Sequence, residues 1–146
     1  MLQSIVKALA VLLIGMFIAG CAGVSDVLKE KDQGTVMTYS VRPDQAWEIA
    51  MTVLRWEGGE TIEEHKSERY MVTSVGMNLI SYGAVVGVWV EPAGKASTKI
   101  TVVTKRKVQA SVTTGLTEST FHARFAQAVK IVKSGKKLPV EAPPGE

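Results

Sequence analysis

Residues that carry chemistry are scarce in this chain. Among 146 residues there are one cysteine, two histidines and 6% aromatic side chains. A single cysteine excludes an internal disulfide and any metal site built from two or more thiolates. His65 and His122 have no partner at a ligand spacing such as HExxH. The expectation for both is a solvated position, His65 in a charged loop and His122 on the outer side of the last helix. Excess charge is also lacking. A formal net charge of +3, without a clustered basic face, gives no case for nucleic acid.

Nucleotide and nucleophile motifs are absent too. Gly94-Lys95-Ala96-Ser97 has the ending of a phosphate loop, but Trp89 stands where its first glycine would have to be. Gly83 and Gly87 do not complete GxGxxG, and Ser40, Ser74, Ser81 and Ser111 lack a GxSxG setting. Glu63, Glu64 and Glu68 read as a solvated loop, with nothing in view to raise a carboxyl pKa. The chain is therefore expected not to be an enzyme, and no metal or non-covalent cofactor is expected. Finally, no apolar run is long enough to cross a bilayer. The stretch from Ala8 to Val24 falls short of the roughly 20 residues a span needs, and it contains Gly15, Gly20 and Gly23.

What the N-terminus does have is the layout of a secretory signal peptide. Lys7 precedes an apolar run from Ala8 to Ile18, and the small residues Ala19 and Gly20 lead into Cys21. Ile18-Ala19-Gly20-Cys21 resembles a bacterial lipobox. The resemblance implies cleavage between Gly20 and Cys21, a diacylglyceryl thioether and an N-acyl chain (commonly palmitate) on Cys21, and so a membrane anchor in a bacterial cell envelope. Lipidation also consumes a thiol that would otherwise stand free in an oxidising compartment. With Ala22 after the cysteine, in place of the Asp that marks inner-membrane retention in enteric bacteria, the implied address is the periplasmic face of the outer membrane, where the organism has one. Two or more acyl chains hold firmly, at about 0.8 kcal/mol per buried CH₂.

Removing residues 1–20 takes away one basic residue and no acid, so 126 residues with a formal charge of +2 remain. That is one domain of ordinary size. Residues 21–33 are read as lipidated N-terminus and polar tether. Val24, Val27 and Leu28 could make a helical turn but are too few to pack. Residues 34–134 form the periplasmic domain, expected to fold without leader or tether, and 135–146, with three prolines after Leu138, a flexible tail.

Within the domain, Thr35 to Val41 alternates as a strand. Pro43 and Asp44 open a helix whose apolar face contains Ala46, Ile49, Ala50 and Val53, flanked by Trp47 and Leu54; Gly58-Gly59 stops it. Thr61-Ile62 is a candidate short strand. Arg69 to Ile80 alternates with Met71, Thr73, Val75, Met77 and Leu79 on one side. Ala84 to Glu91 is rich in valine, and Ser97 to Val112 reads as a long strand bent near Lys105-Arg106-Lys107. Thr117 caps a last helix bearing Phe121, Phe125, Ala128, Val129 and Val132, ended by Gly135. The fold class is α+β: a two-layer sandwich with a mainly antiparallel sheet of 4–5 strands and two helices on one face, in the order β-α-β-β-β-α with room for one extra short strand. A strand, Arg42-Pro43-Asp44-Gln45-Ala46-Trp47 opening a helix, antiparallel strands and a final helix led by Gly115-Leu116-Thr117-Glu118 resemble small envelope lipoproteins of unknown function with a BamC-like helix-grip domain. That resemblance implies a scaffold or interaction role.

The candidate partner contacts are Ile80 and Tyr82, an apolar pair with no obvious cover, and Lys105 and Lys107, which a strand places on one face. Such lysines could instead guard a strand edge. The function expected is a membrane-anchored, non-enzymatic interaction or scaffold module touching the lipid bilayer through Cys21 and an envelope protein through its domain. The alternative is a carrier that holds a small apolar ligand between sheet and helices. Intact mass of the membrane-extracted protein should show loss of residues 1–20 and a gain of acyl mass on Cys21, and Cys21→Ser should leave the precursor uncut. An unmodified Cys21 or a retained leader defeats the lipobox assignment.

Overall fold

A computed structural model describes residues 23–77, 82–107 and 117–145. Five strands form one antiparallel sheet in the order β1-β5-β4-β3-β2: β1 Thr35–Tyr39, β2 Ile62–His65, β3 Tyr70–Met77, β4 Tyr82–Gly94 and β5 Ser97–Arg106. The candidate strand near Thr61-Ile62 is β2, on the edge opposite β1. Among the described residues three helices pack on the sheet: α1 Val24–Lys29, α2 Pro43–Trp56 and α3 Glu118–Lys133. The class is α+β, as the alternating and helical apolar patterns imply.

Strand alternation divides the side chains between two faces. On one lie Met71, Val75, Ala84, Val86, Val88, Val90, Ile100 and Val102, all buried. Against them α2 sets Ala46, Ile49, Ala50, Val53 and Leu54, and α3 sets Phe121, Phe125, Ala128 and Val129. Those helix residues recur every three or four positions, so each helix buries one stripe. Trp47 is half-buried at the margin, its indole N–H donating to Glu64 Oε2 at 2.6 Å. The start of α2 follows from Pro43 at its first position and an Arg42–Asp44 ion pair at 3.1 Å. Its end follows from Gly58, whose φ of +91° admits glycine readily. Thr117 caps α3 by accepting from the Thr120 N–H at 3.2 Å.

The other face is where the structure departs from the sequence reading. Val24, Val27 and Leu28 are not too few to pack. They lie on helix α1, and Val27 is fully buried against the cluster of Val72, Val85, Trp89 and Val103. One residue makes this fit. A Cβ on Gly87 would come within 2.5 Å of Val27 Cγ1 and 3.0 Å of the Trp89 ring, so only glycine lets the helix sit this close. Charges then fasten the end of the segment: Glu30 pairs with Lys105, and Lys31 pairs with Glu91 at 3.0 Å.

The C-terminal segment, expected to be loose, is bonded to the helices. The Trp56 indole donates to the Pro139 carbonyl at 3.1 Å, Gln127 donates to Pro144 at 3.0 Å, Arg124 donates to Pro143, and Leu138 packs on the core. The bend anticipated near Lys105-Arg106-Lys107 is present, since β5 ends at Arg106 and the chain bends at Lys107, but the β4–β5 ladder breaks register elsewhere. The irregularity falls between Pro92 and Gly94, at the opposite end, where a proline cannot donate to the ladder. Residues 108–116, read as the rest of that strand and the approach to α3, lie outside the described residues.

Phe125→Ala should cost about 3–5 kcal/mol in chemical denaturation, since the whole ring is buried. Gly87→Ala should destabilise by displacing α1, and the same substitution should cost much less in a protein already carrying Val27→Ala. Independent, additive losses would mean that the Val27–Gly87 approach is not the constraint.

Candidate functional site

Of the positions singled out in the sequence, Gly20, Cys21 and Ile80 lie outside the described residues. Tyr82 is seen through its main chain, which opens β4 opposite Met77. Lys105 projects to the α1 face, where it pairs with Glu30. Lys107 follows the end of β5, and its N–H donates to the Gly83 carbonyl at 3.1 Å. Lys105 lies past Val102, where the pairing of β5 with β1 ends, so its place on that stretch of strand fits edge protection. The structure thus brings the two lysines to the β3–β4 hairpin end of the sheet.

A polar constellation that the sequence reading missed joins α3 to the edge strand β1. Glu118 and His122 stand one helical turn apart and face Thr35. Glu118 Oε2 accepts from the Thr35 N–H at 3.0 Å and from its hydroxyl, while Oε1 accepts from the Thr104 N–H at 3.1 Å. His122 Nε2 lies 3.0 Å from the Thr35 carbonyl, which can only accept, so that nitrogen carries the proton. Nδ1 is then the acceptor for the Tyr39 hydroxyl at 2.8 Å. The histidine is 3% exposed, which corrects the expectation of a solvated outer position. It lies three residues before Phe125 and four after Glu118, on the helix stripe that faces the sheet, and that spacing was the signal available. The Tyr39 ring packs against Phe125 at 4.5 Å between centroids.

Burial sets the protonation of both groups. It pushes the Tyr39 phenol up to about 12, so the hydroxyl keeps its proton and donates. It holds His122 below the ordinary histidine value, against the opposing pull of the Thr35 carbonyl and the Glu118 carboxylate. A neutral, doubly bonded imidazole is a structural strut here, engaged at both nitrogens. His65, by contrast, is partly exposed and stacks on Tyr70 with centroids 4.4 Å apart.

A second polar group fixes the other face. Glu91 binds Lys31 at 3.0 Å and Lys99 at 3.1 Å, with Lys31 5.9 Å from the Trp89 ring centroid. Burial opposes the charge on Glu91, but the two ammonium groups outweigh it and hold the carboxyl below its usual range.

Two open clefts lie among the described residues. One, of about 460 Å³, is bordered by Val24, Gly58, Glu60, Thr61, Ser74 and Gly76, at the edge formed by β2 and β3. The other, of about 350 Å³, lies at the start of α2, between Trp47, Asp44, Lys66, Arg69 and Pro92. Among the described residues no three of His, Cys, Asp and Glu gather as metal ligands would. No helix there is long and apolar enough to cross a membrane.

No family model and no curated protein matches the chain. Among solved structures, norcoclaurine synthase from Thalictrum flavum, in complex with dopamine and hydroxybenzaldehyde, aligns with a TM-score of 0.44 at 14% identity. The alignment covers 84% of this chain and 98% of that one. A likeness this loose bears no weight in assigning a function.

The buried imidazole predicts a pH effect with a definite sign. Its folded-state pKa lies below the unfolded value of about 6.5, so the unfolded chain binds the proton more readily as pH falls. The stability it contributes is complete above about pH 6.5 and is lost progressively below it. His122→Gln should cost about 1–3 kcal/mol at pH 7.5 through its lost hydrogen bonds, and should flatten the loss of stability between pH 7 and pH 5. Equal pH slopes in the two proteins, followed by urea midpoint, would show that His122 does not titrate this way.

Proposed function

We propose that the protein is a lipid-anchored lipoprotein of the bacterial cell envelope, held at the periplasmic face of the outer membrane through Cys21. Its α+β domain acts there as a non-enzymatic interaction or scaffold module. The observation that carries the reading is the lipobox Ile18-Ala19-Gly20-Cys21, which ends two residues before Gly23, the N-cap of α1 on a sheet packed on both faces. A lone cysteine at that point has an evident use as an acyl acceptor.

The domain's polar groups support a binding role over catalysis. Glu118 and His122 are committed to Thr35, Tyr39 to His122, and Glu91 to two lysines. A carrier of an apolar ligand would need room between sheet and helices. There Phe121, Phe125, Ile49, Leu54 and Met71 are fully buried against one another, which favours the interaction module. Ile80 and Tyr82 remain the proposed anchor for a protein partner, with Lys105 and Lys107 at the same end of the sheet.

The test is the pair of substitutions Ile80→Ser and Tyr82→Ser in the lipidated protein. The melting temperature should change little, while recovery of co-purifying envelope proteins from detergent extracts should fall. An easily unfolded double mutant would place both side chains in the core and remove the proposed contact. Release of a stoichiometric apolar molecule on solvent extraction of the folded protein would favour the carrier instead.

A further inference from the structure

The anchored reading, on which this inference rests, has a geometric consequence that depends on α1. Thirteen residues of free coil from Cys21 to Gln33 would let the domain wander about 20 Å from its anchor. That freedom is missing, because the chain is helical from its N-cap at Gly23 and docked on the sheet at Val27. The Gly23 N–H donates to Asp26 Oδ2 at 2.9 Å, and its carbonyl accepts from the Asp26 N–H at 3.1 Å. One turn on, Val27 is fully buried against Gly87 and Trp89. Only Ala22 separates Gly23 from the lipidated residue. At no more than about 3.6 Å per residue, the Cys21 Cα lies within about 7 Å of Gly23. The acyl chains therefore attach almost directly to the folded domain.

The point of attachment selects a surface. Val24 borders the 460 Å³ cleft together with Gly58, Glu60, Thr61, Ser74 and Gly76, so these residues surround the place where the chain turns toward its anchor. From there α1 runs away along the sheet, toward the ion pairs of Glu30 with Lys105 and Lys31 with Glu91. We propose that this cleft surface is held against the headgroup layer of the bilayer, with the cleft opening toward it. The surface mixes two valines with threonines, a serine and the carboxylates of Glu60 and Glu63, and those charges keep it at the headgroups and out of the acyl region. Glu60 and Glu63 give it negative charge, which fits zwitterionic lipids whose headgroup ends in an ammonium and disfavours anionic ones.

The experiment uses the full lipidated protein, in which Cys21 is a thioether and an added cysteine is the only thiol. Ser74→Cys, at the cleft, and Lys95→Cys, at the β4–β5 turn, are both exposed positions. Ser74 pairs with Val85, so the two sites are separated by most of β4, about 30 Å. Each protein is labelled with a fluorophore and reconstituted in vesicles of phosphatidylethanolamine and phosphatidylcholine containing a headgroup-linked quencher. Quenching at position 74 should exceed that at position 95 at least threefold. It should fall toward the value at 95 when a long Gly/Ser linker is inserted between Ala22 and Gly23, or when anionic lipid replaces the zwitterionic mixture. Equal quenching at the two sites, in protein whose intact mass shows lipid on Cys21, overturns the orientation while leaving the anchor intact. Protein that carries no lipid on Cys21 overturns both.

Discussion

The sheet depends on one helix turn of α3. Among the described residues β1 is a short edge strand that pairs only with β5, yet it joins α1 to α2 and so sets where both helices meet the sheet. Its first residue, Thr35, has both main-chain groups satisfied by side chains from α3. Glu118 accepts from its N–H, and His122 donates to its carbonyl. The other carboxylate oxygen of Glu118 takes up the Thr104 N–H on β5, beyond the β1–β5 pairs. A carboxylate and an imidazole one turn apart thus do the work of a neighbouring strand. They also cap an edge on which Val36 and Met37 remain about half exposed.

The two faces of the sheet are held by different physics. Between sheet, α2 and α3, the contribution is apolar area, from the two phenylalanines of α3, the aliphatic stripe of α2 and the valines and Ile100 of β4 and β5. On the α1 face the apolar patch is small, and charge completes it. Glu91 lies between Lys31 and Lys99, and Glu30 reaches Lys105. These pairs are partly buried, and those of Lys31 with Glu91 and Glu30 with Lys105 link segments distant in sequence. They fix the position of α1 more than they add net stability, since the cost of removing water from Glu91 offsets much of the attraction.

How much of this could be read from the residues depended on period and length. The stripe of α2, the Thr117 cap, the alternation of β3 and the valine run of β4 were legible because each is a local pattern. The helix α1 was not, since its packing rests on one valine meeting one glycine sixty residues away, and no local pattern marks such a contact. His122 was misread for a different reason. A polar residue on an apolar stripe was assigned outward by its type, whereas its two nitrogens are satisfied by Thr35 and Tyr39, which come from a distant strand. The tail was misjudged because prolines exclude regular structure without excluding hydrogen bonds to their carbonyls. The lipobox residues, which carry the functional reading, belong to sequence alone.

The contact between α1 and Gly87 bears on how the protein can be made and handled. A chain begun at residue 34 would leave Val72, Val85, Trp89 and Val103 without Val27 above them. An apolar strip in the middle of a sheet would then meet water, a surface prone to self-association. The residues just after the anchor thus serve as a built-in cover for the domain, and solubility is tied to the same few residues that would join it to the membrane.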